Sequence, residues 1–315
     1  MTPATAFLRR AARFTAIGLV LYAGLYAAAE GLVYRHADRN RFFAVRTAPR
    51  VPFDAVILGA SHAAVFDYRD MNAQLEKLAG ARIMNLAEVG SGIAMNRLLL
   101  DYFLEHHSTN AVVYILDSFA FYSAEWNEVR LRDSSLFLRA PFDPALARLL
   151  LSAPASRSTG LDYVSGFSKI NNPDRFEPDL FPDEGARFDR AYRPIAQIDR
   201  QRLAYLYPEN PDPSMVDRYA ADFEALAREV RERGMRFLVI RPPIPARVRE
   251  QLPDEDRFDA ALRTRLEPYG VEWHDFSQVA NDEALFYDTD HLNREGVMNF
   301  CTSYLAPVLR SASGQ

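Results

Sequence analysis

The sequence predicts an α/β fold: a doubly wound, mainly parallel five-stranded sheet of the three-layer, flavodoxin-like kind, with a mid-chain insertion and an N-terminal transmembrane helix. Three observations predict this fold. Short apolar runs alternate with helix-length segments, small or polar residues follow several of these runs, and one stretch near the N-terminus carries no charge. The 315 residues suffice for one large domain plus an anchor. With 49% hydrophobic and 25% charged residues, the composition argues against a disordered or polytopic membrane protein.

The N-terminal segment has the pattern of a membrane anchor. Residues 14–29 carry no charge, and mostly apolar residues follow Glu30 at 31–34. At 1.5 Å per residue this stretch can nearly cross a hydrocarbon core about 30 Å thick. Arginines at positions 9, 10 and 13 predict a cytoplasmic N-terminus, hence a single-pass inner-membrane protein whose remaining chain lies in the periplasm. The alternatives are a cleaved signal peptide, with small residues at 27–29 for the peptidase, and a buried amphipathic helix.

The rest of the chain divides by composition. After the tail and anchor (1–34), residues 35–52 are polar, rich in arginine and end in two prolines, which predicts a linker. The domain is then expected to span 53–315. A net charge of -5 without a basic run argues against a nucleic-acid partner. Cys301, the one cysteine, excludes an intrachain disulfide and lies in an apolar helical pattern, so we interpret it as a core residue.

Five apolar runs are predicted as buried strands, with intervening segments long enough for crossovers between parallel strands. These runs lie at 53–58, 82–86, 111–116, 235–240 and 271–274. Amphipathic patterns predict helices at about 216–233, 257–266 and 294–310. Ligands of such sheets bind at the carboxyl ends of the strands, where Ser61, Gly90, Asp117 and Arg241 fall.

Residues 118–215 interrupt this alternation and are rich in aromatic residues, arginine and proline. We interpret them as an insertion over the active end of the sheet. The insertion either simply packs over the sheet or has a functional role. The functional alternatives are a lid, an acceptor groove and a docking surface for a membrane partner.

A candidate catalytic pair stands near the C-terminus. Asp288 precedes His291 by three residues, and on a loop turning into a helix this spacing can place the carboxylate against one imidazole nitrogen. The other nitrogen then faces a nucleophile, as in a general base. Asp290 is an alternative acid, although we expect it to cap the following helix.

Ser61 is the candidate nucleophile. It follows a buried strand through Gly59 and Ala60, which are small enough for a tight strand-to-helix turn. The backbone amides of Ser61 and Gly90 follow adjacent strands at the same edge and are candidate oxyanion donors.

These residues resemble three blocks of the SGNH (GDSL-like) hydrolase superfamily. Gly59-Ala60-Ser61 is similar to block I, Asn85 with Gly90 to block II, and Asp288-Thr289-Asp290-His291 to block V. The resemblance implies Ser61 as nucleophile, Ser61 and Gly90 as oxyanion donors, Asp288 as orienting acid and His291 as general base. Two departures are clear. Block I has alanine for the family's aspartate, and Leu116-Asp117-Ser118 stands where block III should supply an asparagine donor.

The anchor, the altered block III and the insertion look most like membrane-anchored extracytoplasmic SGNH proteins that assist acylation of envelope polymers. The teichoic-acid D-alanylation protein and partners of membrane-bound O-acyltransferases (MBOAT) are examples. The resemblance implies O-acyl transfer to, or hydrolysis from, an envelope or exported polysaccharide through an acyl-Ser61 intermediate. The alternative is a non-catalytic accessory that binds an acyltransferase or a glycan.

Other polar residues have less defined roles. Asp117, Arg241 and Asn293 are candidates for substrate binding, and Asp117 is also a candidate to orient a donor or cap a turn. His62 is either a site-lining or a surface residue, and His274 is interpreted as structural. No cluster has metal-ligand spacing and no glycine-rich phosphate loop occurs, so neither a metal nor a cofactor is predicted.

Overall fold

The computed structural model describes residues 3–37, 39–173 and 187–312. Contacts divide the described chain into two units. The first unit contains residues up to 47 together with those from 132 to 173, and the second contains 48–131 and 187–312. The predicted insertion is thus shared between the units.

The second unit is built on a five-stranded sheet, as predicted. All four strand pairs are parallel, in the order β2-β1-β3-β4-β5. The strands are β1 Phe53–Leu58, β2 Ile83–Asn85, β3 Thr109–Ile115, β4 Arg236–Arg241 and β5 Glu272–Asp275. The order reverses at β1, so the carboxyl ends of β1 and β3 border a crevice where ligands of such sheets bind.

Helices cover both faces of this sheet or belong to the first unit. The α-helices of the described residues are α1 Pro3–His36, α2 Arg41–Thr47, α3 Ser61–Ala64, α4 Met71–Ala79, α5 Ile93–His106, α6 Glu128–Arg132, α7 Pro144–Ser152, α8 Arg157–Ser165, α9 Phe167–Asn171, α10 Ala196–Leu206, α11 Pro213–Glu232, α12 Ala246–Arg249, α13 Glu255–Leu266, α14 Arg294–Phe300 and α15 Ala306–Ala312. A π-helical turn, Cys301–Leu305, joins the last two.

Alternating strand residues divide the core into two layers. Ile57, Val113 and Ile240 pack in one cluster with buried residues of α4 and of the C-terminal helices, and the predicted core residue Cys301 belongs to it. On the opposite face Tyr114 and Phe237 contact Phe223 of α11. The result is the expected three-layer arrangement.

The first unit packs α2 and α7–α9 with the C-terminal half of α1. Tyr22 and Tyr26 of α1 contact α8 and α9, and Phe42 of α2 packs on Phe137. The predicted linker therefore contains a helix with a buried aromatic residue. Among the described helices, α1 is long and apolar enough to cross a membrane.

Candidate active site

Gly59 forms the tight turn that places Ser61 at the end of β1. Its φ of +145° is accessible mainly to glycine, and a Cβ there would lie 2.8 Å from Ala63 Cβ and 2.9 Å from the Ile115 carbonyl oxygen. Its N–H donates to Asn96 Oδ1 at 2.8 Å, which ties the turn to α5. Ser61 then begins α3 and is buried except for 8% of its surface.

The second predicted block lies beside this turn. Asn85 donates to the Ala63 carbonyl and accepts from Ala87 N–H, so it holds α3 and the loop after β2 together. Gly90 in this loop has φ +71°. Within the described part of the chain, the N–H groups of Ser61 and Gly90 have no hydrogen-bond partner. Both donors are therefore free to serve an oxyanion.

Asp288 and His291 form the predicted acid–imidazole pair. His291 Nδ1 donates to both carboxylate oxygens of Asp288, at 3.0 and 2.9 Å, and the N–H of His291 donates to the same carboxylate at 2.9 Å. Although burial opposes ionisation, the charge and hydrogen bonds of His291 hold the pKa of Asp288 well below its usual range. This geometry leaves Nε2 of His291 as the basic nitrogen.

The sequence analysis predicts that His291 Nε2 faces the nucleophile. This atom is buried and has no hydrogen-bond partner among the described residues. Ser61 Oγ makes no hydrogen bond to it in the described structure, although His62, the next residue after Ser61, stacks on the His291 ring with centroids 4.7 Å apart. Catalytic serine–histidine contacts are often long before substrate binds.

His62 lines the site and is buried, which decides between its two sequence interpretations. Its Nδ1 lies 2.6 Å from Asp117 Oδ1 and its Nε2 lies 3.1 Å from the Asp290 carbonyl oxygen. Both partners are acceptors, so both ring nitrogens carry hydrogen and His62 is an imidazolium. Burial opposes this charge, but Asp117 and Asp290 raise the pKa of His62 to about 9.

Asp290 does not cap the following helix, which corrects the sequence prediction. The cap of α14 is Asn293, whose Oδ1 accepts from Gly296 N–H at 2.9 Å. Asp290 is instead buried, accepts from Arg202 Nε at 3.2 Å with both oxygens, and lies 3.3 Å from His291 Nδ1. Burial raises the pKa of Asp290, but the charges of His291, Arg202 and His62 outweigh it and lower the value.

Two of the three candidate substrate-binding residues are engaged inside the protein. Arg241 is 3% exposed, pairs with Glu255 and lies 3.5 Å from Asp259. Asn293 also donates to the carbonyls of Arg190 and Ala284. Asp117 holds His62 with Oδ1, whereas its buried Oδ2 has no partner.

A narrow cavity of about 20 Å³ lies against His62, Asp117 and Asp290. Its other walls are mainly apolar side chains of α10, α12 and the neighbouring loops, including Leu203, Leu206, Ile244, Val248 and Leu252. The cavity therefore offers apolar surface next to the His62–Asp117 pair.

Two residues that shape the site, Arg202 and Asn96, were not predicted from the sequence. Arg202 lies on α10, which contains none of the sequence motifs. Its one sequence signal is the three-residue spacing from Asp199, which puts the two charged side chains on one face of the helix. Asn96 lies on a helix whose other buried residues are apolar or aromatic. A buried asparagine among them indicates a hydrogen-bonding role.

A metal ion has three potential ligands here, since atoms of His62, Asp290 and His291 lie within 4.8 Å of one another. The donor set fits poorly, however. Both nitrogens of His62 and Nδ1 of His291 already contact acceptors, and Arg202 already neutralises Asp290. The residues form an ion-pair network instead.

Comparisons with known proteins add little. No protein-family model and no curated protein matches the chain. A solved structure from Bacteroides fragilis, proposed to be an acylhydrolase, is 10% identical with a TM-score of 0.43 and covers 88% of this chain and 98% of its own. Another, from Streptococcus pneumoniae and proposed to be a platelet activating factor, is 12% identical with a TM-score of 0.45 over 94% and 99%. Similarity this weak carries no argument about function.

Proposed function

We propose that the protein is a serine-dependent acyl-transfer enzyme of the SGNH type, with Ser61, Asp288 and His291 as its triad. The observation that carries the proposal is the pair of His291 and Asp288, whose geometry leaves a buried, unpartnered Nε2 beside the residues that follow β1. A buried nitrogen without a hydrogen-bond partner costs stability, and a catalytic role would explain why it is kept. The free N–H groups of Ser61 and Gly90 supply a place for the oxyanion.

The reaction follows from these positions. His291 Nε2 takes the hydroxyl proton as Ser61 Oγ attacks the acyl carbon, and the negative charge develops on the carbonyl oxygen near the two N–H groups. When the tetrahedral intermediate collapses, the leaving oxygen takes the proton from His291 and the acyl group stays on Ser61. Water or an acceptor hydroxyl then gives its proton to His291 and attacks the acyl carbon, and as the ester bond to Ser61 breaks, His291 returns the proton to Ser61 Oγ.

The proposed substrate is an O-acyl, most simply an acetyl, group on an envelope or exported polysaccharide, with MBOAT proteins as partners. The uncharged stretch of α1, which follows arginines at positions 9, 10 and 13 of the same helix, supports attachment to the inner membrane with the catalytic unit in the periplasm.

A fluorophosphonate probe and an activated acetyl ester test the enzymatic proposal. We expect wild type to gain one adduct on Ser61 by mass spectrometry, and Ser61→Ala and His291→Gln to lose at least about 10³-fold of the ester turnover. Ser303→Ala, at an exposed serine, is the matched control and should behave as wild type. Equal turnover by wild type and Ser61→Ala would contradict the proposal.

The second candidate function is a non-catalytic accessory that binds an acyltransferase or a glycan. It is favoured by the lack of a Ser61–His291 hydrogen bond and by Asp117, committed to His62, where the family has an asparagine donor. The same labelling experiment separates the two functions. An accessory would leave Ser61 unlabelled, and polymer acylation in cells would survive Ser61→Ala.

A further inference from the structure

Three large apolar side chains remain exposed on α8 and α9 of the first unit. Leu161 is 63%, Val164 41% and Phe167 61% exposed. They lie within seven residues, and the opposite side of α8 is buried through Thr159, Gly160 and Tyr163. A concentrated apolar face of this kind marks an interaction surface.

This face lies directly beside the apolar part of α1. Tyr22 OH donates to the Ser165 carbonyl at 2.8 Å. The Tyr26 ring packs on Gly166, where an added Cβ would lie 2.8 Å from the ring. The neighbouring α1 residues Leu21 and Leu25 are also exposed, so both sides of this contact carry exposed apolar side chains.

The junction contains a neutralised ion pair. Lys169 of α9 is 4% exposed, pairs with Glu30 of α1 and donates to the Ala140 carbonyl. Glu30 also accepts from Phe142 N–H at 3.0 Å. The charged groups therefore meet each other inside the unit, and neither is left unpaired in an apolar environment.

The position of the junction along α1 gives its depth. If the hydrocarbon core begins near Phe14, Tyr22 and Tyr26 lie about 12 and 18 Å along a core about 30 Å thick. The contact with α8 and α9 then lies on either side of the middle of the bilayer, and Arg157 and Ser158, at the start of α8, are exposed.

We propose that α8 and α9 insert their apolar face into the hydrocarbon core beside α1, so that the chain meets phospholipid through this helix pair as well as through α1. The inference rests on α1 as a membrane anchor. Lipid is the favoured occupant because the face lies beside exposed apolar residues of α1, a helix long and apolar enough to cross a membrane, and lipid that surrounds α1 there also reaches α8 and α9.

Fluorescence in vesicles tests the proposal on the full chain. Single cysteines replace Leu161, Phe167, Val20 and Gln251, and each is labelled with an environment-sensitive dye. Burial raises the pKa of the native Cys301 thiol to about 12, so it stays unlabelled. The chain is reconstituted in vesicles of phosphatidylethanolamine and phosphatidylglycerol that carry a nitroxide quencher on the acyl chains.

We expect loss of fluorescence at positions 161 and 167 comparable to that at 20 in the middle of α1, and none at 251, an exposed position of the second unit. Quenching at 20 alone would overturn the inference and leave the anchor in place. No quenching at 20 would show that the anchor itself fails, and the inference with it. Blue-shifted but unquenched dyes at 161 and 167 would indicate protein, not lipid, over this face and would also overturn it.

Discussion

The position of Ser61 depends on Gly59, which leads to a prediction at the scale of one residue. Alanine at 59 must hold φ near +145° and place Cβ against Ala63 and the Ile115 carbonyl. We expect Gly59→Ala to lower the free energy of unfolding of the second unit by about 2–4 kcal/mol. Both tryptophans, Trp126 and Trp273, belong to this unit, so tryptophan fluorescence during denaturation measures it.

Gly234→Ala is the matched control for this substitution. Gly234 also has positive φ, +78°, but an added Cβ would meet nothing within 4 Å. Only the backbone preference is lost there, which costs about 1 kcal/mol. Equal losses at both positions would contradict the steric argument for Gly59.

The charge of His62 predicts a pH dependence of stability. The folded pKa of about 9 exceeds the ordinary value of 6.5, so this contribution is complete below pH 6.5 and disappears as pH rises through 9. At 1.4 kcal/mol per pKa unit, it amounts to about 3 kcal/mol. Denaturation curves should show wild type losing this stability between these pH values, and His62→Gln losing much less.

His274→Gln controls for histidine titration in general. Burial lowers the pKa of His274, so its contribution changes below pH 6.5. This variant should keep the wild-type slope above that pH. A wild-type slope in His62→Gln would show that His62 is not the titrating cation.

Single residues also show what sequence reasoning can reach. Asp288 and His291 are close in the chain, so their spacing alone predicted the hydrogen bond that the structure shows. Asp290 was misjudged because its partners, Arg202 and His62, are 88 and 228 residues away. No local pattern distinguishes a capping carboxylate from one held by distant cations.

At the scale of elements, helix α10 is attached to the site loop by charged groups. Arg202 binds Asp290, and Asp199 accepts from Thr289 and pairs with Arg247. Without Arg202, the buried Asp290 carboxylate still lies near the Asp288 carboxylate but loses one of the cations that balance its charge. We expect Arg202→Ala to destabilise the second unit by about 2–3 kcal/mol, measured by tryptophan fluorescence.

Arg200→Ala is the control on the same helix, because Arg200 is exposed. Its effect should stay within about 0.5 kcal/mol. If the two variants were equally stable, the Arg202–Asp290 pair would contribute nothing to holding α10 in place.

The elements of the sheet were predictable because each buried strand is a continuous apolar run. The run 53–58 coincides with β1, and the other four agree within two residues. The predicted helix 294–310 is helical throughout, but a π turn at Cys301–Leu305 interrupts it. A single π turn has no residue signature of its own, so the sequence did not show it.

At the scale of the whole molecule, the division into units was outside the reach of sequence patterns. The 118–215 segment is uniform in composition, yet residues 132–173 group with α1 through contacts such as Tyr22–Ser165, 143 residues apart. Lys169, one of only two lysines, is the buried partner of Glu30, and no local pattern in the sequence indicates this pairing across 139 residues.

The Glu30–Lys169 pair predicts a double-mutant cycle. Lys169→Met leaves the Glu30 carboxylate without its cation and should loosen α8 and α9 by about 2 kcal/mol, or about 30-fold in their hydrogen exchange. Glu30→Gln combined with Lys169→Met should restore most of the protection. Lys77→Met, at the exposed lysine of the second unit, should leave the hydrogen exchange of α8 and α9 unchanged. Additive effects of the two changes would contradict direct pairing.

If α1 anchors the chain in a membrane, its orientation decides which substrates the proposed active site meets, because acyl thioesters are cytoplasmic whereas envelope glycans are outside. Arginines at 9, 10 and 13 precede the uncharged stretch, and Lys169 neutralises Glu30, the one charge that would hinder insertion. We expect a C-terminal reporter that is active only outside the cytoplasm to be active, and replacement of the three arginines by glutamate to reduce its activity. A reporter active only in the cytoplasm, if active at the same fusion point, would reverse the orientation. Polysaccharide acylation would then be excluded, while the Ser61 chemistry would remain open to test on thioesters.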